Sequence, residues 1–595
     1  MSELLNRIAE LEAQISALPA GSITKKTVSG KVYFYHRWTE DKKRREKYIP
    51  EDDVPALREQ IEARKALETK LKALKKQAPK KPAPRKEKYI MNVRIGEALQ
   101  VYSAPVRRYK KRACYQKLHD FVYGDVQDRV FILYGLRRTG KTTLIRQILS
   151  EMTDAELARA AFIQATARNN LAQLNQDLKQ LERQGYKYIF IDEVTLMEDF
   201  IEGAALLSDI FAACGMKIVL SGTDSLGFLF TAYNELYDRC IRLHTTHIPY
   251  REFEEILGIH GIDGYIRYGG TMSLGGVHYN ETSTFASKKS ADEYVDSAIA
   301  RNIQHSLECY DNQGHFRHLA ELYEQGELTS AINRIVEDIT HRFTLEVLTR
   351  DFASNDYRLS ARNLRRDREH PTDILDRIDI PAFTERLRAL MEIRNRQEQT
   401  VQIKDVHRSE IKEYLDLLDL TSDIEVRSLP VVNDIHMRTV IAQPGLRYAQ
   451  ANALIQSLLL DETFSDLSLE ERNFVTERIL SEIKGRMMED IVLLETKLAN
   501  PKKEVFVLQF AIGEFDMVVF DPAAGSCEIY EIKHSTEAVP QQYRHLIDEQ
   551  KCELTRHRFG PITAKYVLYR GADIEMDNGI TYRNVEEYLH GLNYT

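Results

Sequence analysis

Hydrophobic positions change their spacing along the chain, and these changes divide it into regions. At the N-terminus apolar residues recur at alternating intervals of four and three, the spacing of a coiled-coil seam: Leu4, Ile8, Leu11, Ile15 and Leu18. Residues 28–38 alternate around Ser29-Gly30 and predict a β-hairpin, after which Asp52 or Asp53 is expected to cap a helix. A Pro/Lys-rich stretch at 77–86 predicts a linker that ends this first module.

Farther along, short apolar runs alternate with helical periods from Val101 to Leu243, which predicts a parallel sheet. The predicted strands are 130–134, 161–164, 188–191, 217–220 and 242–244. Residues 330–430 are highly charged and mostly helical in pattern. After Pro444 a long helical period precedes alternating strands, which indicates a separate C-terminal domain.

Composition adds constraints on class and partners. A chain of 595 residues with 43% hydrophobic and 29% charged residues is expected to form three to five domains. It has no long apolar run and begins with an acidic helical segment, so we expect neither a membrane span nor a secretory signal, and a cytoplasmic protein.

Charge is unevenly distributed along the chain. The net charge is −8, but residues 1–90 hold 22 Lys/Arg against 13 Asp/Glu, or +9, which leaves −17 for the remainder. Such a basic end indicates an anion-binding appendage, although a solvated coiled coil has the same signature. Tyr33, Tyr35 and Trp38 beside basic residues suit nucleic-acid contact; the alternative is that they form the core of a small sheet.

The first strand of the predicted sheet leads into a phosphate-binding motif. Residues 135–142 read G-x-x-x-x-G-K-T between an apolar strand and a helical period. Glycines there let backbone amides close around a β-phosphate, and the helix N-terminus favours its charge. Lys141 is expected to reach the β- and γ-phosphates and Thr142 to ligate Mg²⁺. The predicted binding residues for ATP, the expected cofactor with Mg²⁺, are Gly135, Thr139, Gly140, Lys141, Thr142 and Thr143.

Polar residues follow the later strands of the same sheet. Asp192 and Glu193 end the strand at 188–191, and we expect Asp192 to hold Mg²⁺ and Glu193 to polarise the attacking water. Ser221 and Thr223 are candidates for sensing the γ-phosphate, the alternative being a simple turn. Arg239 is predicted to approach the γ-phosphate, either within its own subunit or from a neighbour.

These motifs together resemble a family of bacterial and archaeal AAA+-superfamily P-loop ATPases related to the signal-transducing NTPases. Residues 265–272 resemble the family's YLxxGGxP element, and residues 294–303 its next helix, although Asn302 departs from the usual Asp. Residues 410–418 are similar to a winged-helix segment and residues 444–447 to a later turn. The N-terminal module resembles a small uncharacterised domain of bacterial and mobile-element proteins, a resemblance that gives no function.

The resemblance implies an α/β fold class: a P-loop AAA+ core, a helical lid, a winged-helix segment and a C-terminal restriction-endonuclease-like domain. We expect a basic coiled-coil and hairpin module at 1–90, the ATPase core at 91–245, the lid at 246–345, the winged-helix-like segment at 346–435 and the nuclease-like domain at 436–595. Because an arginine of one AAA+ subunit often completes the next subunit's site, a homo-oligomer is expected as well.

The C-terminal region carries a second candidate site. The period of two in a strand places Glu531 and Lys533 on one face, and Asp516 on a neighbouring strand completes a D-x₁₄-E-x-K pattern. Glu489, on the helix upstream, is a fourth candidate. Glu489, Asp516 and Glu531 are predicted to hold Mg²⁺ while Lys533 orients or activates a water, the chemistry of a phosphodiesterase. This pattern resembles that of PD-(D/E)XK nucleases. It departs from that pattern in having Glu514-Phe515 where a Pro would precede the first Asp.

Two functions remain open from the sequence. The first is an ATP-dependent enzyme that processes nucleic acid, with DNA favoured. The second is a nucleotide-controlled switch whose C-terminal domain retains a nuclease-like fold for binding or assembly. A protein unfoldase is a weaker third alternative, because no segment resembles a substrate-threading pore.

Overall fold

The structure, a computed structural model, divides into two compact units, residues 1–88 and residues 89–595. It describes residues 11, 14–15, 17–28, 31–40, 43–77, 89–197, 199–200, 204–223, 228, 236, 238–272, 288–309, 316–353, 403–430, 435–458 and 468–594. Within these ranges no helix is both long and apolar enough to cross a membrane.

The first unit is a three-stranded antiparallel sheet followed by a long helix. Its elements are β1 (Ser22–Val28), β2 (Lys31–Glu40), β3 (Lys43–Ile49) and α1 (Val54–Gln77). Pairing of Val28 with Lys31 brackets the predicted turn at 29–30, which lies outside the described residues together with Leu4, Ile8 and most of the linker 77–86. The rings of Tyr33 and Tyr35 lie 6.1 and 5.8 Å from the ring of Tyr48, so aromatic contacts join neighbouring strands of this sheet.

The second unit begins with a six-stranded sheet in the order β4-β6-β7-β8-β5-β9. Its strands are β4 (Asn92–Ile95), β5 (Val130–Tyr134), β6 (Ala160–Gln164), β7 (Tyr188–Asp192), β8 (Lys217–Gly222) and β9 (Cys240–His244). The five predicted strands are confirmed and are parallel, whereas β4 is an additional antiparallel edge strand. Helices before and between the strands are α2 (Gly96–Ser103), α3 (Tyr115–Tyr123), α4 (Lys141–Glu151), α5 (Asp154–Leu157) and α6 (Leu171–Arg183).

The described residues between this sheet and residue 417 are mostly helical. The helices are α7 (Tyr250–Leu257), α8 (Ile262–Tyr268), α9 (Lys288–Tyr294), α10 (Arg301–Cys309), α11 (Arg317–Glu324), α12 (Leu328–Ala353) and α13 (Asp405–Leu417). A π-helical segment, Val295–Ala300, joins α9 to α10. Much of the predicted winged-helix-like segment, residues 354–402, lies outside the described residues.

The C-terminal region is built on a second sheet of eight strands in the order β11-β10-β12-β13-β14-β15-β17-β16. Its strands are β10 (Thr421–Ser428), β11 (Ile435–Ile441), β12 (Glu504–Gln509), β13 (Glu514–Asp521), β14 (Ser526–Ile532), β15 (Ile562–Tyr569), β16 (Ile574–Glu575) and β17 (Thr581–Asn584). Because β10 pairs in parallel with β12, this sheet begins before residue 436, the predicted start of the domain. Its helices are α14 (Pro444–Leu458), α15 (Leu469–Ala499), α16 (Glu549–Phe559) and α17 (Val585–Gly591).

Helix α15 packs its apolar face on this second sheet. Ile483, Met487, Ile491 and Leu494 are all buried, as the helical period predicted. They share a core with Met517, Tyr530 and Ile532, so the helix lies over β13 and β14. Glu489 is consequently held close to the strands that carry Asp516 and Glu531.

Candidate functional site

The phosphate-binding motif forms a tight loop between β5 and α4. Gly135 and Gly140 have φ angles of +139° and +91°, conformations that L side chains rarely adopt. A Cβ on Gly135 would lie 2.8 Å from Thr245 Oγ1 and 2.9 Å from Thr246 Oγ1, so glycine is required there by space as well. Helix α4 starts at Lys141 and directs its N-terminal amides toward the loop.

The hydroxyl groups of Thr245 and Thr246, which follow β9, form hydrogen bonds to this loop. Thr246 Oγ1 accepts a 3.1 Å hydrogen bond from the Leu136 amide. Thr139 Oγ1 lies 3.0 Å from Thr245 Oγ1 and donates to the Leu136 carbonyl at 2.8 Å. Thr139 is fully buried, so it shapes the loop by hydrogen bonds within the protein.

Arg112 is a buried residue of this site that the sequence did not indicate. Its guanidinium donates to the Thr139 carbonyl at 2.8 Å, to the Thr245 carbonyl at 2.9 Å and to the His247 carbonyl at 2.8 Å. Its Nε donates to Glu252 at 2.8 Å. Burial lowers the pKa of Arg112, but Glu252 and the nearby Cys114 and Tyr265 together outweigh burial and raise the pKa above its ordinary value.

Lys141 is the buried cation of the phosphate loop. Its Nζ donates to the carbonyl oxygens of Gly135 and Leu136, both at 2.8 Å. Burial lowers the pKa of Lys141 to about 8, against the opposing effect of Glu193 and Asp192. A buried ammonium ringed by neutral carbonyls gains a stronger partner when an anionic phosphate approaches, so the loop fits a nucleotide.

Three strand ends meet beside Lys141. Thr142 Oγ1 donates to Asp192 Oδ2 at 3.0 Å, and Ser221 Oγ donates to Asp192 Oδ1. Asp192 ends β7 and Ser221 lies in β8, which pairs with β5, so parallel order brings these side chains to one edge. A hydroxyl and a carboxylate in contact are oxygen ligands of the kind that Mg²⁺ prefers. Thr143 follows in the first turn of α4.

Glu193 has the geometry of a strained residue at the same edge. Its φ is +56°, a left-handed conformation that costs a non-glycine residue about 1 to 2 kcal/mol. Thr223 Oγ1 donates to its carboxylate at 3.3 Å. Burial raises the pKa of Glu193, whereas Lys141 lowers it. A partly desolvated carboxylate with a raised pKa suits a general base.

Arg239 lies away from this group within the same chain. It precedes β9, and its carbonyl accepts a 3.0 Å hydrogen bond from the Val130 amide at the start of β5. It is therefore at the amino edge of the sheet, opposite the phosphate loop. Its guanidinium pairs with Asp209 at 2.7 and 2.8 Å. Of the two predicted roles, the approach from a neighbouring subunit is the one that this position leaves open.

Segments beyond the sheet cover the phosphate loop. The Met272 amide donates to the Arg138 carbonyl at 2.7 Å, and Tyr294 Oη donates to the Arg137 carbonyl at 3.4 Å. Asn302, where the related family usually carries Asp, donates through Nδ2 to the Thr223 carbonyl at 2.6 Å. Such contacts join residues about 80 to 160 positions apart, and local sequence patterns carry no signal for them.

In the C-terminal sheet, the buried Asp516 and Glu531 form a second cluster with Lys533, which is partly exposed. Lys533 Nζ lies 2.8 Å from Asp516 Oδ2 and 2.7 Å from Glu531 Oε2. The Ile532 amide also donates to Asp516 Oδ2 at 2.7 Å. The shared face of Glu531 and Lys533 agrees with the period of two in β14, and β13 lies beside it as an antiparallel neighbour.

The pKa values of the two carboxyl groups of this cluster are shifted in opposite directions. Burial raises the pKa of Asp516, but Lys533 and the Ile532 amide lower it below its ordinary value. Burial and the nearby Asp516 raise the pKa of Glu531 well above its ordinary value. Lys533 is held charged because the two carboxyl groups outweigh its burial and raise its pKa. Two buried carboxyl groups in contact favour one proton between them.

Glu489 lies beside this cluster and is paired with arginines. It accepts a hydrogen bond from Arg486, and Arg438 Nη1 lies 3.9 Å from its Oε2. Burial raises the pKa of Glu489 to about 7. Within the described part of the chain, no three His, Cys, Asp or Glu side chains are grouped as ligands of a metal ion. Glu531 Oε1 is buried with no hydrogen-bond partner among those residues, so it is available as a ligand.

Comparisons with known proteins identify part of the chain. Residues 127–254 match the family model described as an AAA domain, and residues 1–59 match that of a domain of unknown function, DUF6788. No curated protein matches the chain. The P-loop geometry and the family match together identify an AAA-type P-loop core, within an α/β unit whose central sheet is mostly parallel.

Two solved structures show weak likeness. One is the Aeropyrum pernix ORC1 protein in complex with DNA, at 13% identity over 63% of this chain and 99% of that chain, with a TM-score of 0.20. The other is katanin, from work on its self-assembly, at 17% identity over 37% of this chain and 72% of that chain, with a TM-score of 0.18. TM-scores this low assign neither fold nor function.

Proposed function

We propose that this chain, which carries an AAA domain at residues 127–254, binds and hydrolyses ATP with Mg²⁺. We further propose that its C-terminal domain is a Mg²⁺-dependent nuclease that acts on nucleic acid, with DNA favoured. The observation that carries the first part is the contact of Thr142 with Asp192 at 3.0 Å beside the buried Lys141. The second part is carried by Lys533, which bridges Asp516 and Glu531.

In the ATPase site each residue has a role that follows from its position. Lys141 binds the β- and γ-phosphates, and amides of the loop and of α4 bind the remaining oxygens. Mg²⁺ held by Thr142 and Asp192 would neutralise charge on the phosphates. Glu193 accepts a proton from the attacking water, and Ser221 fixes the carboxylate of Asp192 through its hydrogen bond.

In the nuclease site the carboxylates and the lysine divide the work. Mg²⁺ held by Asp516 and Glu531 would lower the pKa of a bound water, whereas Glu489, predicted as a third ligand, accepts a hydrogen bond from Arg486. The free Oε1 of Glu531 supports this assignment, since it is a buried oxygen with no partner in the described residues. Lys533 positions the attacking water or stabilises charge on the phosphate, because its ammonium lies between the two carboxyl groups.

One observation favours the second function, a nucleotide-controlled switch without cleavage. Lys533 Nζ already contacts one oxygen of Asp516, at 2.8 Å, and one oxygen of Glu531, at 2.7 Å. A lysine held this way can serve as a structural counter-ion. The C-terminal domain would then bind a partner or support assembly, and ATP binding would control that contact.

Cleavage and hydrolysis assays on the full chain test both functions. We would incubate it with plasmid and linear DNA and Mg²⁺, with and without ATP, and compare Lys533→Ala with the exposed control Lys502→Ala. We expect cleavage that Lys533→Ala abolishes and Lys502→Ala preserves. Glu193→Gln should lower the rate of ATP hydrolysis by about 10²- to 10⁴-fold while ATP still binds. ATP hydrolysis without DNA cleavage under any condition would favour the switch.

Two further parts of the proposal concern partners. The basic N-terminal module, with a charge of +9 over residues 1–90, is proposed to contact nucleic acid.

Arg239 is proposed to complete the ATP site of a neighbouring subunit in a homo-oligomer, since it lies on the opposite edge of the sheet from the phosphate loop of its own chain. Arg239→Ala should then lower hydrolysis only under conditions in which sedimentation detects the oligomer.

A further inference from the structure

Three basic side chains converge at the edge of the C-terminal sheet, next to the proposed nuclease site. His534 follows Lys533 directly, and Arg570 follows the end of β15. Strands β14 and β15 are parallel, and the amides of Lys533 and Arg570 donate across them to Leu568 and Ser535, both at 2.8 Å. Lys484 joins them from helix α15, so side chains from three elements meet at this carboxyl edge.

All three basic groups face one carboxylate, that of Asp263 on α8. Arg570 Nη2 lies 2.9 Å from Asp263 Oδ2, and His534 Nε2 lies 3.0 Å from Asp263 Oδ1. Lys484 Nζ lies 3.6 Å from the same Oδ1. The hydrogen bond from His534, aided by the two cations, lowers the pKa of Asp263 to about 2. Asp263 is therefore an ionised anion held in a basic cluster.

The cluster has more donors than one carboxylate satisfies. Arg570 Nε is buried and has no hydrogen-bond partner among the residues that the structure describes. Lys484 and Arg570 are 28% and 29% exposed, and Asp263 is 36% exposed, so the cluster is open to solvent on one side. A phosphate group offers more acceptor oxygens than a carboxylate, and guanidinium and ammonium groups bind it by charge-assisted hydrogen bonds.

We propose that Lys484, His534 and Arg570 form a binding site for a phosphate of the nucleic-acid backbone, which Asp263 occupies in this structure as an internal anion. The proposal rests on the proposed action of the C-terminal domain on nucleic acid. A strand that passes along the carboxyl edge would contact this site one residue away from Lys533. Release of Asp263 opens the site, so the carboxylate competes with nucleic acid for the same three side chains.

Equilibrium binding without cleavage tests the proposal separately from nuclease activity. Fluorescence anisotropy of a labelled DNA duplex would be measured with the full chain in EDTA, over a range of salt concentrations. Asp263→Asn should bind about tenfold more tightly, because the competing charge is gone. Lys484→Gln and Arg570→Gln should each bind more weakly, and each should reduce the slope of log affinity against log salt by about 1.

Matched controls separate a local site from general charge effects. Asp577→Asn removes one exposed negative charge from the same domain, and Lys502→Gln removes one exposed positive charge; both should bind as the unaltered chain does. If the Asp263→Asn variant is not folded at the assay temperature, the binding of the Lys484→Gln and Arg570→Gln variants tests the proposal. The proposal is overturned if neither lysine nor arginine variant binds more weakly than Lys502→Gln. Altered binding in a chain that never cleaves DNA would support this site while excluding the nuclease.

Discussion

Arg112 donates a hydrogen bond from Nη1 to the carbonyl oxygen of Thr139 in the phosphate loop, at 2.8 Å. The same guanidinium is paired at 2.8 Å with Glu252, which lies in the first turn of α7. Both charged side chains are buried, at 7% and 6% exposure. The shape of the phosphate loop is therefore tied to the residues that follow β9.

Arg112→Ala is expected to destabilise the chain and weaken ATP binding together. Removal of one member of a buried pair leaves Glu252 uncompensated, which costs about 3 to 5 kcal/mol of unfolding free energy. Urea denaturation and nucleotide titration would measure the two effects. The control is Arg251→Ala, which breaks the exposed pair with Glu255 and should cost about 0.5 kcal/mol or less. Equal losses for both variants would contradict the assigned role of Arg112.

Gly135→Ala should disrupt the loop by both backbone and side-chain effects. Its φ of +139° disfavours alanine, and the new methyl group would lie 2.8 Å from Thr245 Oγ1. We expect a loss of about 2 to 3 kcal/mol and no measurable ATP binding. Gly579→Ala is the matched control, because Gly579 also has a positive φ but no atom within 4 Å of an added Cβ. That control should lose only about 1 kcal/mol and bind ATP normally.

Glu495 is expected to make stability depend on pH. It is fully buried, with the Tyr250 amide 2.7 Å from Oε1 and Tyr594 Oη 2.8 Å from Oε2. Burial raises its pKa in the folded chain to about 7, whereas in the unfolded chain it is about 4.3. Between these values the unfolded carboxyl is ionised and the folded one is protonated. The unfolding free energy should therefore fall as pH rises from about 4.3 to 7, by about 3 kcal/mol.

The role of Glu495 is tested by comparing how the unfolding free energies of two chains change with pH. Denaturation curves at several pH values would be collected for the unaltered chain and for Glu495→Gln, which cannot ionise. The loss of stability between pH about 4.3 and 7 should be smaller in Glu495→Gln by the amount above. Glu575→Gln, at an exposed position in the same domain, should follow the unaltered chain. Parallel curves for all three chains would refute the assignment.

Asp490 is expected to be among the most sensitive carboxylates of the C-terminal domain. It accepts hydrogen bonds from both Arg438 and Arg447, and all three side chains are at most 10% exposed. Asp490→Asn would leave the buried Arg447 without its counter-ion and Arg438 with only the more distant Glu489, at a cost of about 3 to 5 kcal/mol. Calorimetric melting would measure it. The control, Glu549→Gln, removes the partner of exposed Arg556 and should leave the melting temperature unchanged.

Local sequence patterns predicted the strands of the first sheet because each is a short run of buried apolar residues. Strand β7 shows this well, since all five of its residues are buried and Asp192 ends it. Strand β4 was missed because Asn92 and Arg94 interrupt its pattern and none of its residues is fully buried. The pairing of β10 with β12 was also missed, since parallel neighbours some 80 residues apart leave no local trace.

The residues of the candidate sites also fall into two groups, those that the strand pattern can predict and those that it cannot. Thr142, Asp192 and Ser221 come together because each follows or ends a parallel strand, which a pattern of strands can predict. Arg239 could have been placed by the same rule, because a residue before a parallel strand lies at the opposite edge. Arg112 and Asp263 could not have been found, since their partners are 140 and 271 positions away and only the folded chain brings them together.

The segment from Asp263 to Met272 contacts the proposed phosphate-binding cluster at one end and the phosphate loop at the other. Asp263 lies against His534, and the Met272 amide is bonded to Arg138 in the phosphate loop. Thermodynamic reciprocity then applies: if nucleotide binding changes the affinity for nucleic acid through this segment, nucleic acid must change the affinity for nucleotide by the same factor. A nucleotide titration with and without DNA would therefore report on binding at the cluster of Lys484, His534 and Arg570, even in a variant that cannot cleave.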